Sequence, residues 1–193
     1  MRRKSDFSDN TPNGENRVLL HCCCAPCSSA IVEWMLKKEI RPTMFYYNPN
    51  IYPLEEYEKR KNECVRYAKY LGLDIVDADY CHSEWKEKVV GMENEPERGS
   101  RCLTCFKCRL SKTAEYASTH GFTLIATTLG SSRWKDLDQI AEAGEYASSL
   151  YSGVFFWNQN WRRNGLSDRR NQIIKEMDFY NQQYCGCEYS FNN

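Results

Sequence analysis

Cysteine is the residue type in this chain whose number and spacing could do chemistry. Cys22, Cys23 and Cys24 stand together and Cys27 follows them, directly after the apolar run Val18-Leu19-Leu20. Cys102-x-x-Cys105-x-x-Cys108 lies in mid-chain, and Tyr184-Cys185-Gly186-Cys187 closes the sequence. Thiolates favour zinc, copper(I) or iron–sulfur clusters over hard, oxygen-seeking cations. The C-x-x-C bite is shared by zinc ribbons and clusters. A ribbon needs a second C-x-x-C about fifteen to twenty residues on. Here the next cysteines after Cys108 are Cys185 and Cys187, which excludes a compact ribbon. Neighbouring residues in extended chain point to opposite sides, so Cys23 and Cys24 are expected to divide between two centres. Cys185 and Cys187, two apart, project the same way and could share one. With Cys27 the pool exceeds what one tetrahedral zinc can use. The expectation is two metal centres side by side.

The compartment bears on this. Eleven cysteines are an odd number, and no apolar export signal precedes them. Tight spacings of this kind in a reducing cytosol bind metal or do redox chemistry more often than they form disulfides. A cytoplasmic protein is expected. No apolar run approaches the roughly 20 residues of a membrane span. Residues 1–16 are polar, begin with Arg2-Arg3-Lys4, and read as a disordered tail before a single domain over 17–193.

The 26 basic and 26 acidic residues balance, so bulk charge does not announce nucleic-acid binding. Local charge differs: Arg101, Lys107, Arg109 and Lys112 surround the central thiols, and Arg162, Arg163, Arg169, Arg170 and Lys175 form a second basic stretch. A neutral protein with a basic face can hold a phosphate backbone, although solvated helix faces would look the same.

The elements that must position these residues alternate. Strands are expected over 18–20, 43–47, 73–77, 123–129 and 154–157, from their apolar and β-branched composition. Helices are expected over 30–38, 54–71, 85–92, 105–120, 138–150 and 168–180. Such alternation predicts a single-domain α/β fold, a parallel sheet with helices on both faces. The thiol-rich loop and the 48–53 loop then sit at the C-terminal ends of strands, where such sheets keep their crevice. Cys64 and Cys81 read as structural, and His21, His82 and His120 as loop or cap residues, since no second histidine lies at ligand spacing.

Several motifs carry a resemblance: Leu20-His21-Cys22-Cys23-Cys24-Ala25-Pro26-Cys27-Ser28, Phe45-Tyr46-Tyr47-Asn48-Pro49-Asn50-Ile51-Tyr52-Pro53, Glu95-Pro96-Glu97-Arg98-Gly99-Ser100-Arg101-Cys102-Leu103-Thr104-Cys105-Phe106, Thr128-Leu129 and Tyr184-Cys185-Gly186-Cys187. In these, in order over residues 18–190, the chain resembles the QueH family of cobalamin-independent epoxyqueuosine reductases. The resemblance implies an oxidoreductase that removes the epoxide oxygen from epoxyqueuosine at the wobble position of tRNA, the last step of queuosine synthesis. It implies a [4Fe-4S] cluster beside a mononuclear iron. Cys23, Cys24, Cys102, Cys105, Cys185 and Cys187 match the family's ligand motifs, four for the cluster and two for the iron, with Cys27 completing the iron's protein ligands. It also implies a Rossmann-like fold related to the pyrophosphatase-loop ATPases, with a glycine-free thiol loop in place of the phosphate loop.

Two features depart from the family pattern. Cys22 and Cys108 are additional thiols, and Ser132 is followed by Arg133-Trp134 where relatives tend to have Ser-Pro.

On this reading Cys27, Tyr80 and Asp136 are the candidate catalytic residues, the latter two as proton sources along with His82. Asn48, Asn50, Tyr52, Arg101, Arg162 and Arg163 are candidates for substrate binding, with the asparagines equally at home as turn formers. Of Trp134, Trp157 and Trp161, one exposed near Arg162-Arg163 would suggest stacking on RNA bases. An external electron donor, a ferredoxin or flavodoxin, is implied because nothing resembles a nicotinamide or flavin site. The rival functions are an ATP-using tRNA sulfur transferase, against which the missing glycine loop argues, and a non-catalytic zinc protein that holds RNA.

Overall fold

The computed structural model of the protein describes residues 7–190; residues 1–6 of the expected tail and 191–193 of the expected domain lie outside the described residues. Strands β1 (Arg17–His21), β2 (Arg41–Tyr46), β3 (Ile75–Asp77), β4 (Leu124–Thr127) and β5 (Phe155–Phe156) form one sheet in the order β3-β2-β1-β4-β5. Every pairing is parallel. Helices α1 (Ala25–Lys37), α2 (Leu54–Leu71), α3 (His82–Lys88), α4 (Ser100–Thr119), α5 (Leu137–Ser149) and α6 (Leu166–Glu176) fill the connections. This is the α/β architecture the alternation predicts.

The pleat explains why both faces are covered. Successive strand residues point to opposite sides. Val18, Leu20, Met44, Tyr46, Leu124 and Ala126 join one core, under α1, α2 and α6. Leu19, Phe45 and Ile125, the residues between them, join a second core under α4 and α5. The central strands are therefore apolar on both faces, and read as continuous apolar runs.

Five of the six helices begin earlier than the sequence suggests, and the two largest shifts, at α1 and α4, move cysteines. Helix α1 starts at Ala25 with Pro26 in its first turn and Cys24 as its N-cap. Proline lacks the N–H that would be unpaired there anyway, so the Cys-x-x-Cys segment enters the helix and only Cys22 to Cys24 remain as loop. Helix α4 starts at Ser100 behind an N-cap Gly99. Cys102, Cys105 and Cys108 consequently all lie on it, three apart and thus neighbours on one surface.

The order of the strands reverses between β1 and β4, and open α/β sheets bind ligands outside the carboxyl ends at such a point. The loop after β1 carries the first thiols, and the loop after β4 faces it. Residues 7–16 lie against the domain: the Phe7 ring stands edge-on to Trp34 at 5.2 Å, and Ser8 and Gln159 exchange two hydrogen bonds. Among the described residues no helix is long and apolar enough to cross a membrane.

Candidate metal centre and substrate cleft

Two local devices bring seven cysteines to the carboxyl edge of the sheet. The first is the tight turn from β1 into α1. Cys23 and Cys24 in the turn and Cys27 one helical turn on have Sγ atoms within 4.8 Å of one another. The adjacent pair, expected to point apart, converges instead to 3.9 Å. The turn is fixed by Thr128, whose hydroxyl accepts from the Cys23 amide at 3.2 Å, and by Ser28 donating to the Cys24 carbonyl at 2.8 Å.

The second device ties the C-terminal segment to the loop after β2. Tyr52 N–H donates to the Gly186 carbonyl at 2.9 Å, and Ile51 bridges antiparallel to Cys187. Gly186 has φ +103°, and a Cβ there would lie 2.9 Å from both Ile51 Cγ1 and Arg60 Nη1. The glycine between the last two cysteines is therefore a steric requirement. Arg60, almost fully buried and paired with Glu56 at 2.6 Å, donates to the carbonyls of Tyr184 (3.1 Å) and Cys185 (3.0 Å). Cys185 and Cys187 are thereby carried to Cys102 and Cys105 of α4. Burial raises the thiols of Cys102, Cys105 and Cys187, the Cys185 sulfur adds to each, and Cys105 and Cys187 share a buried cluster with Trp85.

Between the two groups stands Lys135, from the loop after β4, with Nζ 3.4 Å from Cys185 Sγ. Burial opposes its charge, but Cys185 and Cys23 outweigh that and hold the ammonium in its charged form. Reciprocally, burial pushes Cys185 up while Lys135 and Arg109 more than compensate and leave it below the ordinary thiol value. Hydrogen bonds from Cys24 and Cys27, with the same two cations, hold Cys23 well below that value. Burial and the neighbouring sulfurs raise Cys24, and the Cys23 sulfur raises Cys27 to about 11. Burial raises Cys187 to about 12.

This donor set fits soft metal. Every described cysteine is free. Buried thiolates are costly unless charge compensates them, and Lys135 and Arg109 supply that compensation from within the fold. Cys23, Cys24 and Cys27 form one ligand group; with Cys102, Cys105, Cys185 and Cys187, which influence one another electrostatically, the pool exceeds one tetrahedral ion and suits soft metal. Of the four remaining thiols, Cys108 packs against the Cys105 and Cys187 cluster. Cys22 is buried, donates to the Leu20 carbonyl at 3.3 Å and is raised by burial to about 12; Cys64 lies in the core. Cys81 caps α3, and burial raises Cys108 to about 11 beside Tyr47.

A cleft of about 1840 Å³ opens over the thiols; Cys23, Cys27, Asn50, Arg109, Lys135 and Cys185 are among its lining residues. It exceeds the roughly 300–1,000 Å³ of small-molecule pockets, so a macromolecular segment can enter. Asn50 is 1% exposed and neither its amide nitrogen nor its oxygen has a partner. The Ser131 hydroxyl, also on the lining, is likewise buried and lies beside the Cys27 thiol.

Other predicted site residues are engaged elsewhere. Asn48 donates to the Cys22 carbonyl at 2.9 Å and accepts from Arg109, bracing the thiol turn. Tyr52 is half exposed, its ring stacked on His82. Arg101 is buried with its guanidinium on the carbonyls of Met92 and Glu93, and Arg162 holds those of Gly130, Ser132 and Lys135. Both act as loop braces, because a fork of donors suits clustered carbonyls; Arg163 is exposed. Tyr80 donates to the Ile51 carbonyl at 2.6 Å, Asp136 caps α5 through the amides of Asp138 and Gln139, and neither lines the cleft. His82 meets the Pro49 carbonyl at 2.7 Å. His21 is a core residue between Thr127 and Tyr47, kept neutral by burial, which lowers it to about 3. Sequence reasoning missed Arg60, Ser131 and Lys135; for Lys135 the available signal was its place in the loop opposite the thiols across the strand reversal.

Known proteins are similar to this chain over most of its length. The chain is 49% identical over 182 residues to a Haemophilus influenzae protein named epoxyqueuosine reductase QueH, covering 94% of this chain and 74% of that one. A protein of the same name from Acinetobacter baylyi is 44% identical over 94% of this chain and 84% of its own. One from Thermotoga maritima is 34% identical over 90% and 89%. The family model described as epoxyqueuosine reductase QueH matches residues 18–193, taking in both thiol groups, the Asn50 loop and Lys135, and the chain belongs to that family.

Proposed function

We propose that this protein is an oxidoreductase that reduces epoxyqueuosine to queuosine at the wobble position of tRNA. The observation that carries the reading is the Cys23, Cys24 and Cys27 group, with Sγ atoms within 4.8 Å of one another, in a chain where Cys23, Cys27 and Cys185 line a cleft too large for a small metabolite alone. The net change takes two electrons and two protons, opens both C–O bonds of the epoxide, and leaves an alkene and water.

Cys23, Cys24 and Cys27 would hold a single iron, and Cys102, Cys105, Cys185 and Cys187 a [4Fe-4S] cluster. When bound, these groups supply Lewis-acid polarisation of the epoxide oxygen and one-electron transfer. The chain's own residues do the rest. Asn50 offers one donor and one acceptor from a fixed, dry position, which suits hydroxyls or a base edge of the modified nucleoside. Ser131 Oγ offers a further hydrogen bond on the lining. Lys135 and Arg109 keep positive charge beside the thiolates. Of the three residues expected to act on substrate, Cys27 is the one on the cleft wall.

Electrons come from an external donor of ferredoxin or flavodoxin type, and the reaction runs in the reducing cytoplasm, where free thiols persist. The test is anaerobic turnover with a reduced donor and tRNA carrying epoxyqueuosine, with the nucleosides analysed after digestion. Conversion to queuosine supports the reading. Failure with protein holding its full iron and sulfide would overturn it.

A further inference from the structure

The loop between β4 and α5 carries a feature that reduction of an epoxide does not require. Trp134 is 64% exposed, while Trp157 and Trp161 are buried, and both Trp134 and Arg133 line the cleft. The Arg133 guanidinium lies over the indole, 4.6 Å from its centroid. An exposed tryptophan on a mobile loop would be unremarkable, but this loop is held on two sides. Arg98 donates to the carbonyls of Arg133 (3.1 Å) and Trp134 (3.0 Å). Arg162 donates to the carbonyls of Gly130, Ser132 and Lys135. Two arginines thus fix five carbonyls between Gly130 and Lys135, and the indole is presented from a braced backbone beside the thiol floor.

We propose that Trp134, backed by Arg133, is a stacking platform for an unpaired nucleobase of the RNA loop that delivers the modified nucleoside to the cleft. The proposal rests on the reading that the substrate is tRNA. Bases splayed out of a single-stranded loop bind on aromatic faces and guanidinium planes. A planar cation above an indole gives both in one place, with charge for the neighbouring phosphates. The pre-set backbone removes the ordering cost that a flexible loop would bring to binding.

The test uses metal-loaded, full-length protein under anaerobic conditions and a fluorescent RNA hairpin with the sequence of a tRNA anticodon stem-loop. Trp134→Ala is expected to weaken binding about 5- to 150-fold, while Trp134→Phe stays within about threefold and iron content is unchanged. Hairpins with single abasic sites in the loop then locate the contact. One abasic site should weaken the wild type strongly and Trp134→Ala hardly at all, the signature of a shared interaction. Equal binding by Trp134→Ala and wild type would overturn the platform and leave the reductase reading standing. So would a loss in Trp134→Ala that adds fully to every abasic site. A wild type that does not bind the hairpin would overturn both the platform and the tRNA substrate.

Discussion

Arg60 donates to the backbone carbonyl of Cys185 at 3.0 Å while its other side is paired with Glu56 at 2.6 Å. One side chain of α2 thereby anchors two cysteines more than a hundred positions away in sequence. Removing it leaves Glu56 buried with its Arg60 partner gone and frees the C-terminal segment. Arg60→Ala is expected to cost about 3–5 kcal/mol of stability and to lower acid-labile sulfide together with iron. Urea unfolding and metal analysis would check this; full sulfide in the variant would show that the clamp does not hold the cysteines.

Gly186 makes a related prediction with a different cause. Its φ of +103° and the 2.9 Å approach of Ile51 and Arg60 leave no room for a side chain. Gly186→Ala should destabilise by about 2–4 kcal/mol, combining left-handed strain with overpacking. Sulfide should fall more than for an alanine at Gly153, which also has positive φ but meets nothing within 4 Å.

Asn50 is the substrate-facing counterpart. Its buried amide has no partner in the protein, so replacing it leaves the fold's own hydrogen bonds untouched. Asn50→Ala is expected to lower kcat/KM for epoxyqueuosine tRNA by roughly 5- to 150-fold, the worth of about 1–3 kcal/mol. Iron, sulfide and thermal stability should stay at wild-type values. A variant that loses metal instead would assign Asn50 to the scaffold.

These residues also show what the sequence discloses. Strand composition and the alternation of elements announce a parallel sheet with two covered faces, because buried strands must be apolar on both sides. Cysteine spacing announces a thiol group able to hold metal, because few other uses suit so many thiols at close range. Helix starts were less legible: the helices expected from 30 and 105 begin at Ala25 and Ser100, with Pro26 in the first turn of α1 and Gly99 at the N-cap of α4. Arginine roles were least legible. Arg101, Arg162 and Arg60 all look like surface charge in a string of letters, and each binds carbonyls chosen by the tertiary fold.

Acid stability offers a check away from the thiols. Arg169 of α6 bonds Glu33 of α1 at 2.7 Å and Glu176 at 2.7 Å, and the guanidinium lowers Glu33 to about 2 from an ordinary 4.5. The folded value lies below the unfolded one, so the unfolded chain binds more protons between them. The stabilisation is complete above about pH 5 and is lost as pH falls through 4.5 towards 2. Solvent screens this partly exposed pair, so a small effect is expected. The urea midpoint of Glu33→Gln should lie below the wild type at pH 7, with the gap closing as the pH approaches 3.

The central claim is that two thiol groups hold two different iron centres, and the most direct measurement is iron, zinc and acid-labile sulfide on protein purified without oxygen. The account predicts about four sulfides per chain, as one cubane cluster requires, with iron in excess of sulfide. Serine at Cys27 should remove the excess iron and spare the sulfide, and serine at Cys105 should remove the sulfide. Zinc without sulfide, unchanged after anaerobic reconstitution, would contradict the account.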